Sequence, residues 1–299
     1  MKKIFPVIGL SKVWFAISSI LVVASIVAVA VFGLNFGIDF TGGSLIELQF
    51  SQPTSTDAIR EAVGSTDFDA VVQQGEDETY LIRTEDISRE DHDLILSAIT
   101  QQVGEHEELR FESIGPVIGD ELKRKSVTAV ILLLILIVLY VAWAFRRVSK
   151  PIASWKYGIL TIVAALHDVI IPIGVFAVLG RYFGYQVDTA FIAAILTILG
   201  YSINDTIVVF DRTRENLVSN RHSDDTFADV VNKSVVQSFG RSINTSITTL
   251  LVLLAVLIFG GVTTRSFILA LIIGILSGAY SSIFLASPLL VAWEKWRKK

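Results

Sequence analysis

Six stretches of this chain stay apolar for about 20 residues each, the length an α-helix needs to cross about 30 Å of hydrocarbon. They run from Val13 to Phe32, Val127 to Phe145, Tyr157 to Leu179, Val187 to Phe210, Ser242 to Phe259 and Phe267 to Trp293. Water cannot satisfy backbone groups inside a bilayer, so each such stretch has to fold as a helix. The class is therefore a polytopic α-helical membrane protein with six transmembrane helices. With 52% hydrophobic and 18% charged residues, the chain is too apolar for an ordinary soluble domain. The first run follows Met1-Lys2-Lys3 and Lys12. It is longer than the apolar core of a signal peptide, about 7–15 residues, so it reads as an uncleaved anchor.

Between the first two spans the composition changes. Residues 34–125 hold 20 of the 29 acidic residues and 7 of the 25 basic ones. Gly42-Gly43 opens an alternating strand to Phe50, and a short helix from Thr56 to Val63 follows. Strands at 70–74 and 79–84 flank the turn Gly75-Glu76-Asp77-Glu78, an amphipathic helix starts at Ser88, and Leu109 to Ile114 closes as a strand. The order βαββαβ describes a ferredoxin-like α+β domain between helices 1 and 2. The domain plan is thus 1–33 for the N-terminus and first helix, 34–125 for the α+β domain, and 126–299 for five further helices. The segment 211–240 and its amphipathic helix (about Thr226 to Phe239) are expected to lie along the membrane interface. Basic residues concentrate at 2–12, 146–156, 212–241 and 295–299, which puts both termini in the cytoplasm and residues 34–125 outside it. Lys123-Arg124-Lys125 runs against that trend, but long translocated loops are largely exempt from it.

Few residues are candidates for chemistry. There is no cysteine, and the four histidines show no metal-ligand spacing. No phosphate loop, catalytic triad signature or Gly-x-Gly-Asp intramembrane protease sequence is present, so no enzyme activity, metal or cofactor is expected, and the charge asymmetry speaks for topology rather than nucleic acid. What stands out is Gly200-Tyr201-Ser202-Ile203-Asn204-Asp205-Thr206 in the fourth apolar run. A carboxylate within a bilayer costs at least about 2.5–3.5 kcal/mol, so it usually faces a partner or a wet cavity and marks an ion or proton route. Counted from Val187, Asp205 lies about 18 residues or roughly 27 Å along its helix. The bland alternative is a membrane-edge position wetted by headgroups. Gly240-Arg241-Ser242-Ile243-Asn244-Thr245 repeats the frame with a cation. Arg241, Asn244, Thr245 and Thr248 make a polar stripe expected to pack on the Ser202/Asp205 face, although Arg241 could equally snorkel to the surface. Asp168, beside His167 and four residues before Pro172, sits near mid-span as a proton relay or a structural polar contact.

These residues resemble those of a known family, the SecD/SecF protein-export subunits, and within it the SecF branch. The resemblance rests on Gly37-Ile38-Asp39-Phe40-Thr41-Gly42-Gly43, on Ala165-Leu166-His167-Asp168, on the run from Gly200 to Asn216, and on Gly240 to Ser246. It implies an RND-type half that pairs with SecD, assists the Sec translocon channel (SecY, SecE and SecG) in the cytoplasmic membrane, and uses the proton-motive force to move a translocating preprotein. It further implies Asp205 as the proton-responsive carboxylate with Arg241 as its partner, and H+ rather than Na+ as the coupling ion. Asn204 and Asn244 join Asp168 and His167 as candidate relay or structural polar groups, and the glycines make Gly37, Asp39, Gly42 and Gly43 a hinge between membrane and outer domain or a strand start with a tight turn. A stand-alone proton-coupled transporter of small solutes and a purely structural scaffold are the competing classes.

Overall fold

The computed structural model describes residues 6–75, 77–146, 153–219, 225–261 and 264–297. The chain divides into two units: a helical one made of residues 1–34, 129–182 and 190–299, and an α+β one made of residues 35–128 and 183–189.

In the α+β unit a single turn, α2 (Ile38–Thr41), leads into β1 (Gly43–Phe50), α3 (Thr56–Gly64), β2 (Val71–Gln74), β3 (Thr79–Thr84), α4 (Arg89–Gln102) and β4 (His106–Ile114). The strands order β2-β3-β1-β4, with every neighbouring pair antiparallel. β1 and β2 therefore run the same way with β3 inserted between them, the split βαβ arrangement of a ferredoxin-like sandwich. Alternation explains the packing. Ile46, Leu48 and Phe50 of β1 and Tyr80 and Ile82 of β3 form one buried cluster with Ile59, Ala62 and Val63 of α3 and Ile95 and Ile99 of α4. Both helices start on a side-chain cap: Ser55 Oγ accepts from the Ala58 amide at 3.0 Å, and Ser88 with Asp91 forms a capping box.

One part of this unit is remote in sequence. Residues 183–189, at the junction of the third and fourth apolar runs, join the entry to the α+β unit: Phe36 bridges Val187, the Gly37 amide donates to Val187 O at 2.9 Å, and the Val187 amide donates to Asn35 O at 2.8 Å. Gln73 of β2 adds a bond to Gly184 O at 3.0 Å. The spacing of apolar runs marks such a connection as a turn but says nothing about what it pairs with.

Among the described residues six helices are long and apolar enough to span a membrane. They are α1 (Ser11–Phe32), α5 (Pro116–Ala144), α6 (Ser154–Phe183), α7 (Thr189–Ser219), α8 (Phe227–Phe259), and a last span built from α9 (Arg265–Ser281), a π-turn (Ser282–Ala286) and α10 (Ser287–Arg297). α6, α7 and the last span are at least half buried and form the centre, whereas α1, α5 and α8 keep most of their apolar surface exposed. The π-turn has an evident source. Pro288 has no N–H for the Phe284 carbonyl, and a wider turn re-phases the ladder just before it, where Ser287 Oγ donates five residues back to Ser282 O at 3.1 Å.

The separate interfacial helix expected at about Thr226–Phe239, within 211–240, is not what forms. α8 is one helix of 33 residues that starts on a Thr226/Asp229 capping box and passes through Gly240 and Arg241 without a break. A glycine costs a helix only about 1 kcal/mol, and without a proline to remove a bond the helix continues. α7 likewise continues past Phe210 to Ser219, and the two extended ends are joined by Asn216 Nδ2, which donates to Ser234 Oγ at 2.8 Å and Gln237 Oε1 at 2.9 Å.

Gly42 (φ +75°) and Gly43 (φ +123°) are required both for their backbone and for space, since a Cβ on Gly43 would lie 2.7 Å from Thr84 O and one on Gly42 2.9 Å from Pro116 Cα. Gly43→Ala should therefore destabilise the α+β unit by about 1–3 kcal/mol, seen as faster limited proteolysis of the purified full chain. Gly64→Ala in α3, where a Cβ meets nothing within 4 Å, should not. Equal behaviour of the two variants would refute the steric account.

Candidate functional site

α7 and α9 approach closely because α9 presents glycines where α7 presents side chains. A Cβ on Gly278 would lie 2.8 Å from Ser202 Cβ, and one on Gly274 would run into Ile198. This approach brings the hydroxyls of two helices onto a carboxylate of a third. Asp168 of α6 has no exposed surface. Its Oδ2 accepts from Ser281 Oγ at 2.6 Å and from Ser202 Oγ; its Oδ1 accepts from Ser277 Oγ at 3.0 Å and contacts His167 Nδ1 at 2.9 Å. A carboxylate has about four acceptor positions, and three of them receive serine hydroxyls. Next to it, Ser282 at the start of the π-turn meets Thr206 Oγ1 at 2.9 Å and donates to Ser202 O at 3.3 Å. His167 stacks on Tyr280, whose hydroxyl donates to Trp14 O at 3.0 Å and so ties α9 to α1.

Asp205 is treated in the opposite way. It is 4% exposed, and its Oδ2 is buried with no hydrogen-bond partner among the described residues. Arg241 of α8 is near enough to act on it through space, but among the described residues no ion pair within 4.0 Å joins them. The Arg241 side chain is exposed and borders a cleft of about 340 Å³ between α7 and α8, lined by Ile207, Val208, Asp211 and Arg212 on one side and Gln237 and Ser238 on the other.

The sequence-derived stripe does not pack on the Ser202/Asp205 face. Ser202 points to Asp168, and the α7 residue that meets the stripe is Tyr201, whose hydroxyl donates to Thr245 O at 3.0 Å. Arg241, Asn244 and Thr248 are exposed, and the Thr245 and Thr248 hydroxyls return to carbonyls of their own helix, Arg241 O at 2.9 Å and Asn244 O at 3.0 Å. Asn204 is also exposed. Helical periodicity shows which residues share a face; it does not show the rotation of that face toward a neighbour.

At the entry to the α+β unit, Asp39 Oδ2 accepts from the Thr189 amide at 2.7 Å and from its hydroxyl, so the carboxylate caps the first residue of α7. Gly37, Gly42 and Gly43 are each close against other backbone or side chains. These close approaches, with the positive φ of Gly42 and Gly43, account for glycine in this stretch on steric grounds. Sequence reasoning overlooked Ser277, Ser281 and Ser282. Their signal was present as Gly274-x3-Gly278 interleaved with Ser277-x3-Ser281 in an apolar run, a small-residue pattern typical of close helix contacts.

Comparison with known proteins bears on both units. The family model for protein export membrane protein SecD/SecF, C-terminal, matches residues 95–296, and the SecD/SecF GG motif model matches residues 27–54. The protein translocase subunit SecF of Thermobaculum terrenum is 40% identical over 294 residues, covering 94% of this chain and 91% of that protein. That of Anaerolinea thermophila is 37% identical over 300 residues, covering 97% and 95%. Among solved structures, SecDF from Thermus thermophilus, a translocon-associated membrane protein, matches 98% of this chain with a TM-score of 0.86 at 36% identity. SecDF in its super-membrane-facing form matches with a TM-score of 0.71 at 35% identity. This chain spans 39% and 40% of those two chains.

The two carboxylates should separate in their effect on stability. Asp168→Ala strands three hydroxyls and a ring nitrogen and should cost about 3–5 kcal/mol. Asp205→Asn removes no hydrogen bond and should change stability by less than about 1 kcal/mol. Unfolding of the purified chain in detergent measures both, and equal losses would contradict the contrast drawn here.

Proposed function

This chain belongs to the SecD/SecF family of protein export membrane proteins, accessory to the Sec machinery, and we propose that it joins a SecD partner to draw on the proton-motive force for late polypeptide translocation. In this reading it resides in the cytoplasmic membrane with both termini in the cytoplasm and residues 34–125 outside, and it works beside the SecY/SecE/SecG channel on an emerging preprotein.

The observation that carries the reading is Asp205. A buried carboxylate oxygen with no hydrogen bond is unfavourable for stability, and a chain that retains one is using it. Two arrangements are open to such a group. As an anion it draws toward Arg241 across the α7/α8 contact; as a neutral acid it needs no cation and can turn away. Alternation between them, set by proton supply from either side, is a bistable element that a gradient can bias. The cleft bordered by Arg241 supplies a wet approach to that contact. Support for a membrane partner comes from the exposed polar face of Asn204, Arg241, Asn244 and Thr248. Lipid tails cannot satisfy those groups, whereas a second helical half can.

Membrane vesicles holding the Sec channel, SecD and this chain test the proposal through preprotein translocation with and without a proton gradient. Asp205→Asn should abolish the gradient-dependent component while the complex still assembles. Full gradient dependence in that variant would overturn the role given to Asp205.

A further inference from the structure

All five tryptophans of the chain lie at one end of the helical unit. Trp14 is at the start of α1, Trp143 at the end of α5, Trp155 at the start of α6, and Trp293 and Trp296 at the end of α10. Ring contacts show that these ends meet. Phe145, just beyond α5, stacks on Tyr157 of α6 with centroids 5.1 Å apart, and Trp155 meets Trp293 edge-on at 6.2 Å. The opposite ends carry phenylalanine and tyrosine, at Phe32, Tyr182, Phe183 and Phe259, but no tryptophan. Indole combines an apolar ring with one N–H donor and settles at the level of lipid headgroups, so the tryptophan end is a defined membrane boundary.

Cations sit on these rings. Lys156 Nζ lies 5.5 Å from the centre of the Trp155 ring and 5.4 Å from that of Trp293, and the Arg146 guanidinium lies 4.5 Å from that of Trp143. Among the described residues no carboxylate is within ion-pair distance of Lys156, Arg146 or the exposed Lys295. The α7 arginines at the same end differ, since Arg212 pairs with Glu215 at 2.6 Å and Arg214 with Asp211 at 3.4 Å. Glu294, between Trp293 and Lys295 in sequence, is 4% exposed and so withdrawn from the surface. The indole donors divide in a similar way. Trp14 Nε1 donates to Val7 O at 3.0 Å, whereas those of Trp155, Trp293 and Trp296 find no acceptor among the described residues. The α6/α10 junction thus holds an ammonium and two indole donors in place and supplies no anion to meet them.

We propose that this junction binds an anionic phospholipid, its phosphodiester on Lys156 and on the indole N–H groups of Trp155 and Trp293. A phosphodiester is an acceptor with one negative charge, the complement of what the junction offers. A zwitterionic lipid brings the same phosphate together with its own cation, which Lys156 repels, so the junction selects for net negative charge. Two rings already restrain the Lys156 side chain, and less of its freedom is lost on binding. The inference needs only that the chain spans a membrane; it is independent of the role given to Asp205 and of which side this end faces.

Brominated lipids quench indole emission at short range, and with every tryptophan at this end the emission of the full chain reports on this end alone. The full chain is placed in phosphatidylcholine vesicles that contain the same small fraction of either brominated phosphatidylglycerol or brominated phosphatidylcholine. The anionic lipid should quench as though enriched about fivefold beside the protein. Lys156→Gln should bring the two lipids to within about twofold of each other, and Lys156→Arg should keep the difference. Lys12→Gln, at an exposed lysine of α1 at the same end, should leave it unchanged. Equal quenching by the two lipids in the unsubstituted chain would overturn the proposal whatever the variants do. A loss in Lys12→Gln as large as in Lys156→Gln would reduce the effect to the general attraction of a basic surface and refute the site. Disappearance of the difference on adding inorganic phosphate at constant ionic strength would mark a site for a free anion instead of a lipid, and would refute it as well.

Discussion

The carboxylate of Asp168 is the interaction on which the helical unit most depends. In a bilayer there is little hydrophobic gain from packing one apolar helix on another, so association has to come from close fit and from hydrogen bonds that lipid cannot replace. Here one side chain supplies bonds to α7 and α9 together, and each bond exists only because another feature permits it. Gly274 and Gly278 remove the Cβ atoms that would hold α9 away from α7. The π-turn before Pro288 lets the last span continue past a residue that cannot donate, and its first serine bonds to both Thr206 and the Ser202 carbonyl. α1 is attached more lightly, through Tyr280 and through Ser25 against Gly174. α5 and α8, with no comparable polar anchor at the centre, keep most of their surface free.

The same helix carries both kinds of acid contact. Ser202 and Asp205 are three residues apart on α7, yet one donates to a carboxylate that three serines share and the other is left with an unsatisfied oxygen. A carboxylate held by serines of two other helices resists movement, since any shift breaks several bonds at once. An oxygen with no bond has nothing to lose by moving. The pairing of a fixed point with a free carboxylate on one helix is what a switch requires, because a group can report its protonation by rotation only if something nearby defines the rest position.

How far this was legible in the sequence follows from what each signal encodes. The six spans and the βαββαβ order rest on local periodicity, which the chain carries residue by residue, and the observed elements and sheet order agree with them. Asp205, Arg241 and Asp168 were visible because a charge in an apolar run is conspicuous. What those residues touch was not visible. The stripe from Arg241 to Thr248 was assigned to the Asp205 face on periodicity, but the mutual rotation of α7 and α8 is set by contacts such as Tyr201 with Thr245, which no spacing rule contains. Serines in an apolar helix carry no charge to draw notice, so the partners of Asp168 on α9 went unread. The attachment of residues 183–189 to the strand entry was invisible for a different reason: backbone pairing across about 150 positions leaves no trace in composition.

That attachment also gives α7 a defined start. α7 begins at Thr189, whose amide and hydroxyl are held by Asp39, and the same continuous helix reaches Asp205 sixteen residues later, about 24 Å along its axis. A helix of this length transmits rotation and axial shift with little loss, because its hydrogen-bond ladder resists both. The glycines that follow Asp39 leave no room for a Cβ against Thr84 and Pro116. At 42 and 43 positive φ and close approach act together, so no larger residue fits there without moving Thr84 or Pro116.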